Sequence, residues 1–272
     1  MAESFLVVGD SSFYGSNFVK LLESKGCEVN RLSLRNWSPE DIKGDYVVNF
    51  AAANIVAESW KKPAEYMLVN VVAHTELLEV LRKKPIKKYV QVSTPEVYGS
   101  VADWLKESRI FNPSTPYAVS RAAMDMLLMA YHNAYGFPAV ITRTANIYGP
   151  GQPPNRIVTQ ALLCKVHGKE LPLDGGGNSI RCFIHVRDAC EATYLAAISG
   201  KAGECYHISG WGTRSIRQLV ETDIGCKWNL MPERLGKDYA YMLDSTKIRK
   251  LGWMDKINLT EGLAECESAI SV

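Results

Sequence analysis

Residues 5–17, FLVVGDSSFYGSN, decide the fold that we expect for this chain. The apolar run at 5–8 is typical of a strand that is covered on both faces. It ends at Gly9, and Gly15 stands just before a segment of helical pattern. Glycines in such a strand-to-helix turn let the backbone approach a phosphate group, which then lies at the helix N-terminus. The stretch therefore predicts the first βα unit of a nucleotide-binding sheet, although its GxxSxxG spacing, with Ser12 between the glycines, also fits an ordinary turn.

Beyond this unit, short apolar runs alternate with longer segments of helical pattern. The predicted strands are residues 5–8, 46–50, 88–92 and 139–142, and the predicted helices are residues 16–24, 63–82, 116–135 and 156–167. Helices that connect parallel strands cover both faces of the sheet. The pattern predicts an α/β protein with a doubly wound parallel Rossmann sheet in residues 1–150. A smaller C-terminal α/β substrate lobe is predicted in residues 151–272, with sheet contributions crossing this boundary.

Composition and charge exclude several classes of protein. The chain has 272 residues, with 31 Lys and Arg against 29 Asp and Glu, and this formal charge of +2 argues against nucleic acid as a principal partner. No apolar stretch reaches the roughly 18 residues that span a membrane, and the N-terminus lacks the pattern of a signal peptide. Seven scattered cysteines predict neither a metal site nor a disulfide framework. We therefore expect a soluble, cytoplasmic protein.

Residues 28–33 predict a further strand after the first helix, and the segment at its end should lie at the ribose end of a bound dinucleotide. An acidic residue usually stands there to accept a hydrogen bond from the 2′-hydroxyl of NAD. This chain has Ser33, Arg35 and Asn36 instead. A hydroxyl, a guanidinium and an amide favour the 2′-phosphate of NADP, so NADP is slightly preferred over NAD. The other interpretation is that Arg35 is an ordinary surface arginine.

Two motifs predict the chemistry. Tyr117 and Arg121 lie four residues apart at the start of a predicted helix and share one of its faces, where a cation favours the ionised phenol. A phenolate can take the proton of a sugar hydroxyl while a hydride leaves for a nicotinamide. Thr94 and Glu96 follow a predicted strand, at the edge where a doubly wound sheet binds ligands. Thr94 can therefore bind a substrate hydroxyl and Glu96 can act as a base, although each motif alone also fits a structural role.

Together, these motifs resemble those of the extended short-chain dehydrogenase/reductase family of nucleotide-sugar epimerases and dehydratases, and most of all its dTDP-glucose 4,6-dehydratases. The resemblance covers nearly the whole chain. The matching segments are residues 9–17, 49–53, 70, 68–71, 93–99, 116–121, 143–150, 179–188 and 233–238. Because so many segments match in order, the resemblance is specific even though each motif is weak.

The resemblance implies a bound nicotinamide dinucleotide, NADP or NAD, and a nucleoside diphosphate sugar as the substrate. The implied cofactor-binding residues are Gly9, Ser12, Phe13, Tyr14, Gly15, Ser33, Arg35, Asn36, Ala51, Ala52, Ala53, Asn70, Tyr117 and Arg121. The implied substrate-binding residues are Asn146, Asn155, Arg156, Arg181 and Arg234. Among these, Arg181 and Arg234 would hold the diphosphate, a role that suits bidentate guanidinium groups. A homodimer through helices 63–82 and 116–135 is also implied.

The chain departs from the family pattern at three positions. Arg121 replaces the active-site lysine, and Ser12 replaces a glycine. Pro95 stands where the dTDP-glucose dehydratases have the aspartic acid that helps to expel the C6 hydroxyl. GDP-mannose dehydratases also lack that aspartic acid, so its loss does not exclude dehydration, and Glu96 can serve as both base and acid.

The chain is also shorter than the family pattern. Only eleven residues separate Ser33 from Asp45, where a strand and a helix usually lie. We therefore predict a Rossmann sheet that is shortened by about one βα unit. The shortening should remove part of the wall at the adenine end of the cofactor site.

Three functions remain open from the sequence. The favoured one is a nucleotide-sugar 4,6-dehydratase, in which Tyr117 is the base at C4 and Arg121 its electrostatic partner. Thr94 would polarise the C4 oxygen, and Glu96 would act at C5 and C6, a task that simple 4-epimerisation does not have. The alternatives are a nucleotide-sugar 4-epimerase or C4-oxidising decarboxylase, and a catalytically impaired homologue that only binds cofactor and sugar.

Overall fold

The computed structural model describes residues 2–270, which form an α/β fold around a parallel sheet. The strands are β1 (Ser4–Val8), β2 (Glu28–Leu32), β3 (Tyr46–Asn49), β4 (Lys88–Ser93), β5 (Trp104–Leu105), β6 (Ala139–Thr144), β7 (Asn146–Tyr148), β8 (Leu171–Asp174), β9 (Ile180–Arg181), β10 (Phe183–His185), β11 (Cys205–Ile208), β12 (Arg214–Ser215), β13 (Trp228–Met231) and β14 (Ala240–Leu243). The helices are α1 (Phe13–Ser24), α2 (Val56–Ser59), α3 (Pro63–Met67), α4 (Ala73–Leu81), α5 (Pro116–Tyr135), α6 (Ile157–Val166), α7 (Val186–Ser199), α8 (Thr246–Arg249) and α9 (Leu259–Ile270).

The central sheet has the strand order β11-β6-β4-β3-β1-β2, with all neighbouring strands parallel. Helices α1 and α7 pack on one face, and α4 and α5 pack on the other. The alternation of side chains along β1 shows why the apolar run at 5–8 has no polar member. Phe5 and Val7 point into the core beneath α1 and α7, whereas Leu6 and Val8 point into the core beneath α4 and α5. The predicted doubly wound Rossmann sheet is confirmed.

The predicted shortening of the sheet is also confirmed. Strand β2 is the last strand on its side, and only a 3₁₀ turn, Pro39–Asp41, lies between β2 and β3. The short connection is tied to the end of α4, because Lys84 Nζ donates a hydrogen bond to the carbonyl of Ile42 at 3.1 Å. The chain passes directly from one edge of the sheet to its interior without the strand and helix that usually lie between.

A smaller lobe packs through β14 against the 3₁₀ turn Pro95–Tyr98 at the carboxyl end of β4. It contains the sheet β12-β9-β14-β5, the pairs β10-β7 and β13-β8, and a separate apolar cluster formed mainly by α6, α9 and a π-helical turn at Gln218–Ile224. The chain returns to the central layers at α7 and β11 after it has entered this lobe. The division at residue 150 therefore stays a prediction. Among residues 2–270, no helix is long and apolar enough to cross a membrane.

Candidate active site

The turn after β1 places two glycines where side chains would clash. Gly9 has a φ of +79°, and a Cβ there would lie 2.6 Å from the Ala51 backbone nitrogen. A Cβ at Gly15 would lie 2.4 Å from the Gly9 carbonyl oxygen. Ser12, which replaces the middle glycine, donates a hydrogen bond to the Gly9 carbonyl at 2.8 Å and accepts one from the Gly15 backbone nitrogen at 3.0 Å. The Ser12 hydroxyl thus closes the turn and caps α1, so the helix N-terminus keeps the form of a phosphate site.

The other predicted residues of this turn differ in what they contact. Phe13 is half-buried at the start of α1. Tyr14 is buried, and its hydroxyl donates to the Ala189 carbonyl at 2.8 Å and lies 2.6 Å from the Thr193 hydroxyl. Its phenol therefore joins α1 to α7. A cofactor contact by the Tyr14 side chain stays a prediction.

Asn70 supports the loop at residues 51–53. It lies in a π-helical turn, Leu68–Val72, between α3 and α4, and it is fully buried. Its side-chain oxygen accepts from the Ala53 backbone nitrogen at 2.8 Å, and its amide donates to the Ala53 carbonyl at 3.0 Å and to Ser120 Oγ at 2.9 Å. These bonds occupy the Asn70 amide, so the residue positions the loop against α5. A π turn of this kind is often found near functional sites.

The residues predicted at the ribose end lie on the surface. Ser33, Arg35 and Asn36 follow β2 and are exposed. The Ser33 hydroxyl accepts a weak bond from the Arg35 backbone nitrogen at 3.4 Å. No carboxylate of residues 2–270 lies within ion-pair distance of the Arg35 guanidinium. Arg35 is therefore a cation at the carboxyl end of the edge strand, available to an external anion.

Thr94, Glu96, Tyr117 and Arg121 are brought together at the carboxyl end of β4. Thr94 caps the 3₁₀ turn Pro95–Tyr98 by accepting a hydrogen bond from the Glu96 backbone nitrogen at 3.3 Å, and its hydroxyl lies near enough to the Tyr117 phenol to lower the phenol's pKa. Tyr117 lies in the first turn of α5, which the side chain of Thr115 caps. Thr94 therefore aligns the turn that holds Glu96 and contacts the predicted base.

A buried ion pair fixes α5 against the sheet. Arg143 on β6 contacts Asp125 on α5 at 2.9 Å, and Ser93 at the end of β4 donates to the same Asp125 oxygen, also at 2.9 Å. Both members of the ion pair are almost completely inaccessible to solvent. Because Asp125 lies on the same helix as Tyr117, the ion pair between Asp125 and Arg143 helps to fix the position of the Tyr117 phenol relative to Thr94.

Arg121 is 2% exposed, and its guanidinium is only partly used by the protein. One Nη donates to the Val92 carbonyl, while Nε and the other Nη have no hydrogen-bond partner within the part of the chain that the structure describes. Buried donors without partners are costly, so they suit a bound group with hydroxyl oxygens. Together with the glycine turn, these two donors fit the nicotinamide ribose of a dinucleotide.

Burial dominates the acidity of the two proton-transfer candidates. Burial raises the pKa of Tyr117, and the Arg121 charge lowers it as expected, without restoring it to the usual value. Burial raises the pKa of Glu96 to about 7, and the nearby charge of Asp238 adds to this effect. Arg181, Arg156 and Arg234 act in the opposite direction. Glu96 is therefore poised to gain or lose a proton near neutral pH.

The predicted substrate-binding arginines are engaged to different extents. Arg181 donates to the carbonyls of Asp238 and Tyr239 at 2.7 and 3.1 Å, and it stacks on the ring of Tyr241. Arg234 pairs with Asp174 at 2.6 Å. Diphosphate binding by Arg181 and Arg234 stays a prediction, and Arg181 also organises the segment before β14.

The remaining predicted substrate residues lie at the entrance to α6 and on β7. Arg156 is half-buried immediately before α6, and no carboxylate of residues 2–270 forms an ion pair with it. Asn155 beside it is exposed. Asn146 on β7 accepts a hydrogen bond from the Tyr241 hydroxyl at 3.3 Å. The sequence reasoning missed Asp238 and Tyr241, whose only signal was that Asp238 ends the matching segment 233–238.

Comparisons with known proteins agree with this geometry. The family model for GDP-mannose 4,6-dehydratase matches residues 39–266. A relative named dTDP-glucose 4,6-dehydratase from Streptomyces niveus is 33% identical over 304 residues, which covers 96% of this chain and 90% of the relative. A second protein of that name, from an Actinoplanes species, is 34% identical over 230 residues, covering 81% of this chain and 72% of the relative.

Solved structures give the same result. DesIV, a dTDP-glucose 4,6-dehydratase from Streptomyces venezuelae solved with NAD bound, has a TM-score of 0.92 and 30% identity and covers 98% of this chain and 96% of its own. A UDP-glucose 4-epimerase from Thermus thermophilus, also solved with NAD, has a TM-score of 0.89 and 25% identity, with 98% of each chain covered. The chain therefore belongs to the GDP-mannose 4,6-dehydratase family of extended short-chain dehydrogenases/reductases.

Proposed function

We propose that this protein is a nicotinamide-dependent nucleotide-sugar 4,6-dehydratase. The observation that supports this most directly is the meeting of half-buried Glu96 with buried Tyr117 and Thr94 in one site, where partial burial and Asp238 raise the pKa of Glu96 to about 7. A 4,6-dehydration needs a base at the C4 hydroxyl and a second group that takes a proton at C5 and gives one at C6. Tyr117 and Glu96 are suited to these two tasks.

The residues present fit a dinucleotide at its pyrophosphate and nicotinamide ends. The turn at Gly9 and Gly15 would hold the pyrophosphate, and the unpartnered donors of Arg121 would hold the nicotinamide ribose. A nicotinamide bound there would supply a hydride acceptor for C4 and a hydride donor for C6. Exposed Arg35 favours NADP, whereas DesIV was solved with NAD. We keep NADP as the slightly preferred cofactor, to be decided by the dinucleotide that the denatured protein releases.

In the first half of the reaction, the chain's own residues act at C4. Tyr117 takes the proton of the C4 hydroxyl, and the charge of Arg121 lowers the pKa of the phenol for this step. Thr94 orients the C4 oxygen through the hydroxyl that also contacts Tyr117. Because these side chains are buried, water is excluded while the alcohol is oxidised.

In the second half, Glu96 acts at C5 and C6. The C5–H bond breaks and its proton passes to the Glu96 carboxylate, because the ketone at C4 has made this hydrogen acidic. The C6–O bond then breaks as Glu96 gives a proton to the leaving hydroxyl, which departs as water. Pro95 has no side-chain group for this transfer, so one carboxyl performs both steps.

The nucleotide sugar would lie between the sheet edge and the smaller lobe. Arg234 forms an ion pair and Arg181 donates hydrogen bonds to backbone carbonyls, whereas the Arg156 side chain does neither among residues 2–270. We propose that Arg156 contacts the diphosphate first. Arg234 would exchange its contact with Asp174 for the same group, with Arg181, Asn146 and Asn155 nearby. Product mass tests the whole proposal with dTDP-glucose and GDP-mannose as substrates. Loss of water with a 4-keto product supports it, whereas loss of carbon dioxide from a uronic-acid substrate or an unchanged mass favours the decarboxylase or epimerase alternative.

We also propose a cytoplasmic homodimer formed by the α3–α4 segment and α5, which correspond to the predicted helices 63–82 and 116–135. Leu68, Val72, Val119 and Met126 leave apolar side chains exposed on these helices. Met126→Glu should shift the mass measured by sedimentation from dimer to monomer. Met254→Glu, at a similarly exposed position elsewhere, is the matched control and should leave the mass unchanged.

A further inference from the structure

A second carboxyl group, that of Asp238, lies in the neighbourhood of Glu96. Asp238 stands two residues before β14, and β14 packs against the 3₁₀ turn that holds Glu96. The contact is reinforced by Ser100, whose hydroxyl accepts hydrogen bonds from the backbone nitrogens of Tyr239 at 3.1 Å and Ala240 at 3.3 Å. Residues that are distant in the sequence are thereby fixed at one side of the proposed C5–C6 site.

The carboxylate of Asp238 is buried and is held by a hydroxyl, without a directly bonded cation. It is 6% exposed, and Ser114 Oγ donates to its Oδ1 at 2.8 Å. The guanidinium of Arg181 bonds the main-chain carbonyl of Asp238 at 2.7 Å. Among residues 2–270, no cation forms an ion pair with the carboxylate. Its negative charge is therefore left to act on the groups around it.

Six charged or titratable groups from several segments interact electrostatically with Glu96. The acidic and phenolic groups are Asp238, Tyr117 on α5 and Tyr241 on β14, and the cations are Arg156, Arg181 and Arg234. Burial first and Asp238 second raise the pKa of Glu96, and the three arginines lower it. Burial raises the pKa of Asp238 as well, while Ser114 and Arg181 lower it. The two carboxyl groups thus oppose each other's ionisation.

The presence of Pro95 suggests why a second carboxyl group near Glu96 would matter for the reaction. Pro95 offers no acid to the C6 hydroxyl, so Glu96 must be protonated at one moment of the cycle and ionised at another. A lone carboxyl among three arginines would have a lowered pKa, and its carboxylate would be a weak base for the C5 proton. A neighbouring negative charge offsets the arginines.

We propose that Asp238 is a positioning residue for the dehydration step. Ser114 holds Asp238 beside the turn of Glu96. The charge of Asp238 there keeps the Glu96 carboxyl able both to accept the C5 proton and to deliver a proton to the departing C6 hydroxyl. The step is an elimination in which the C5–H and C6–O bonds break, a C5=C6 double bond forms, and Glu96 ends as it began. This role rests on the proposed function.

The variant Asp238→Asn tests the role while conserving shape. Its side-chain oxygen can still accept the Ser114 bond, and its backbone carbonyl can still accept the Arg181 bond. Because the charge of Asp238 raises the pKa of Glu96, its removal should move the acidic limb of the kcat profile down by about one pH unit. Above pH 7, kcat should fall by about tenfold and reduced nicotinamide should accumulate, because oxidation at C4 proceeds while elimination is slow.

Two further variants separate this role from a structural one. Asp244→Asn is the matched control, since Asp244 accepts a hydrogen bond from the Thr246 backbone nitrogen at 2.8 Å, outside the proposed site, and should leave the profile unchanged. Pro95→Asp in the Asp238→Asn background should restore elimination by supplying an acid at position 95. Failure of that rescue, or a fall in kcat without a shift of the profile, would overturn the proposal.

An activity-independent measurement distinguishes this proposal from the proposed function. The Glu96 carboxyl band is followed by infrared difference spectroscopy against pH, with Glu96→Gln identifying the band. Asp238→Asn should move the midpoint of this titration to lower pH, and an unmoved midpoint would overturn the role of Asp238 alone. If the wild-type protein formed no keto-sugar from any common nucleotide hexose, the dehydratase function itself would fall, whatever the titration showed.

Discussion

The two ends of the proposed cofactor site differ in how much of the chain holds them. At the catalytic end, Thr94 and Tyr117 are almost fully buried and are braced by the ion pair between Asp125 and Arg143. At the adenine end, an exposed connection with a single 3₁₀ turn replaces a strand and a helix, and Arg35 stands on the surface. The alignment with the Streptomyces niveus relative, 304 positions against a chain of 272 residues, shows that the relative has residues that this chain lacks.

The difference teaches which part of a dinucleotide site tolerates shortening. Groups at the catalytic end must be placed to a fraction of an ångström, because small displacements there lower the rate steeply. Groups at the adenine end contribute affinity, which other contacts can supply. The chain retains the catalytic end, where precise geometry is needed for the reaction. It is shortened at the adenine end, where the contacts contribute mainly to affinity.

The largest effect should follow from Tyr117→Phe at the catalytic end. Loss of the phenolic oxygen removes the base at C4, and we expect kcat to fall by about 10²–10⁴-fold. Product formation from the active nucleotide sugar measures this. Tyr135→Phe, at the exposed far end of the same helix, is the control and should retain full activity. Equal activity of the two variants would show that the catalytic end is not where we place it.

Arg35→Ala should have the largest effect at the adenine end. A charge-assisted hydrogen bond to a 2′-phosphate contributes about 1.5–3 kcal/mol, so the Kd for NADP should rise by roughly tenfold to a hundredfold while the Kd for NAD stays the same. Isothermal titration measures both constants. Arg31→Ala on β2, four residues before Arg35, is the control, because the Arg31 guanidinium pairs with Glu23 at 2.8 Å. A parallel loss of both affinities would contradict the preference for NADP.

Gly9→Ala tests the glycine turn after β1, which would hold the pyrophosphate between the two ends of the cofactor. Both Gly9 and Gly26 have positive φ values, +79° and +73°, but only at Gly9 would a Cβ meet another segment. Gly9→Ala should therefore lower the free energy of unfolding by about 1–3 kcal/mol more than Gly26→Ala does. Denaturant unfolding of the two variants gives this difference directly. Equal losses would mean that the turn is not packed against Ala51.

The smallest effect should follow from Arg121→Lys, which restores the family's residue. Lysine keeps the charge but loses the planar fork that bonds the Val92 carbonyl. We expect kcat to fall by about two- to tenfold, because a site adapted to guanidinium holds an ammonium group less well. Arg82→Lys, an exposed arginine paired with Glu79, should leave kcat unchanged. A scaffold without catalysis would show no response to either change.

The sequence predicted the central sheet because its signals are local. Apolar runs identified β1, β3, β4 and β6 to within two residues at each end, since a strand buried on both faces has no polar position. The missing βα unit was predictable for a similar reason, because the residues between Ser33 and Asp45 are too few to form a strand and a helix. Strands of two residues, such as β5, β9 and β12, left no such pattern, because their pairing depends on distant segments.

The site was predictable where motifs are local and unpredictable where contacts are distant. Thr94, Glu96, Tyr117 and Arg121 meet as expected, because the carboxyl end of one strand faces the start of the next helix. The bonds of Asn70 to Ala53 depend on a π turn that no spacing rule identifies. The approach of Asp238 to Glu96 depends on how the smaller lobe folds back, which is a property of the tertiary structure.

The edge strand β2 has a consequence for the solution behaviour of the protein. Once its usual neighbour is missing, a strand presents unpaired backbone groups that could recruit another chain and seed aggregates. β2 has only five residues, and the exposed Glu28 and Arg31 place opposite charges along it. Short, charged strands are poor templates for such pairing. The edge strand of the shortened sheet therefore disfavours pairing with strands of other molecules. Loss of the neighbouring strand need not make the protein more prone to aggregate.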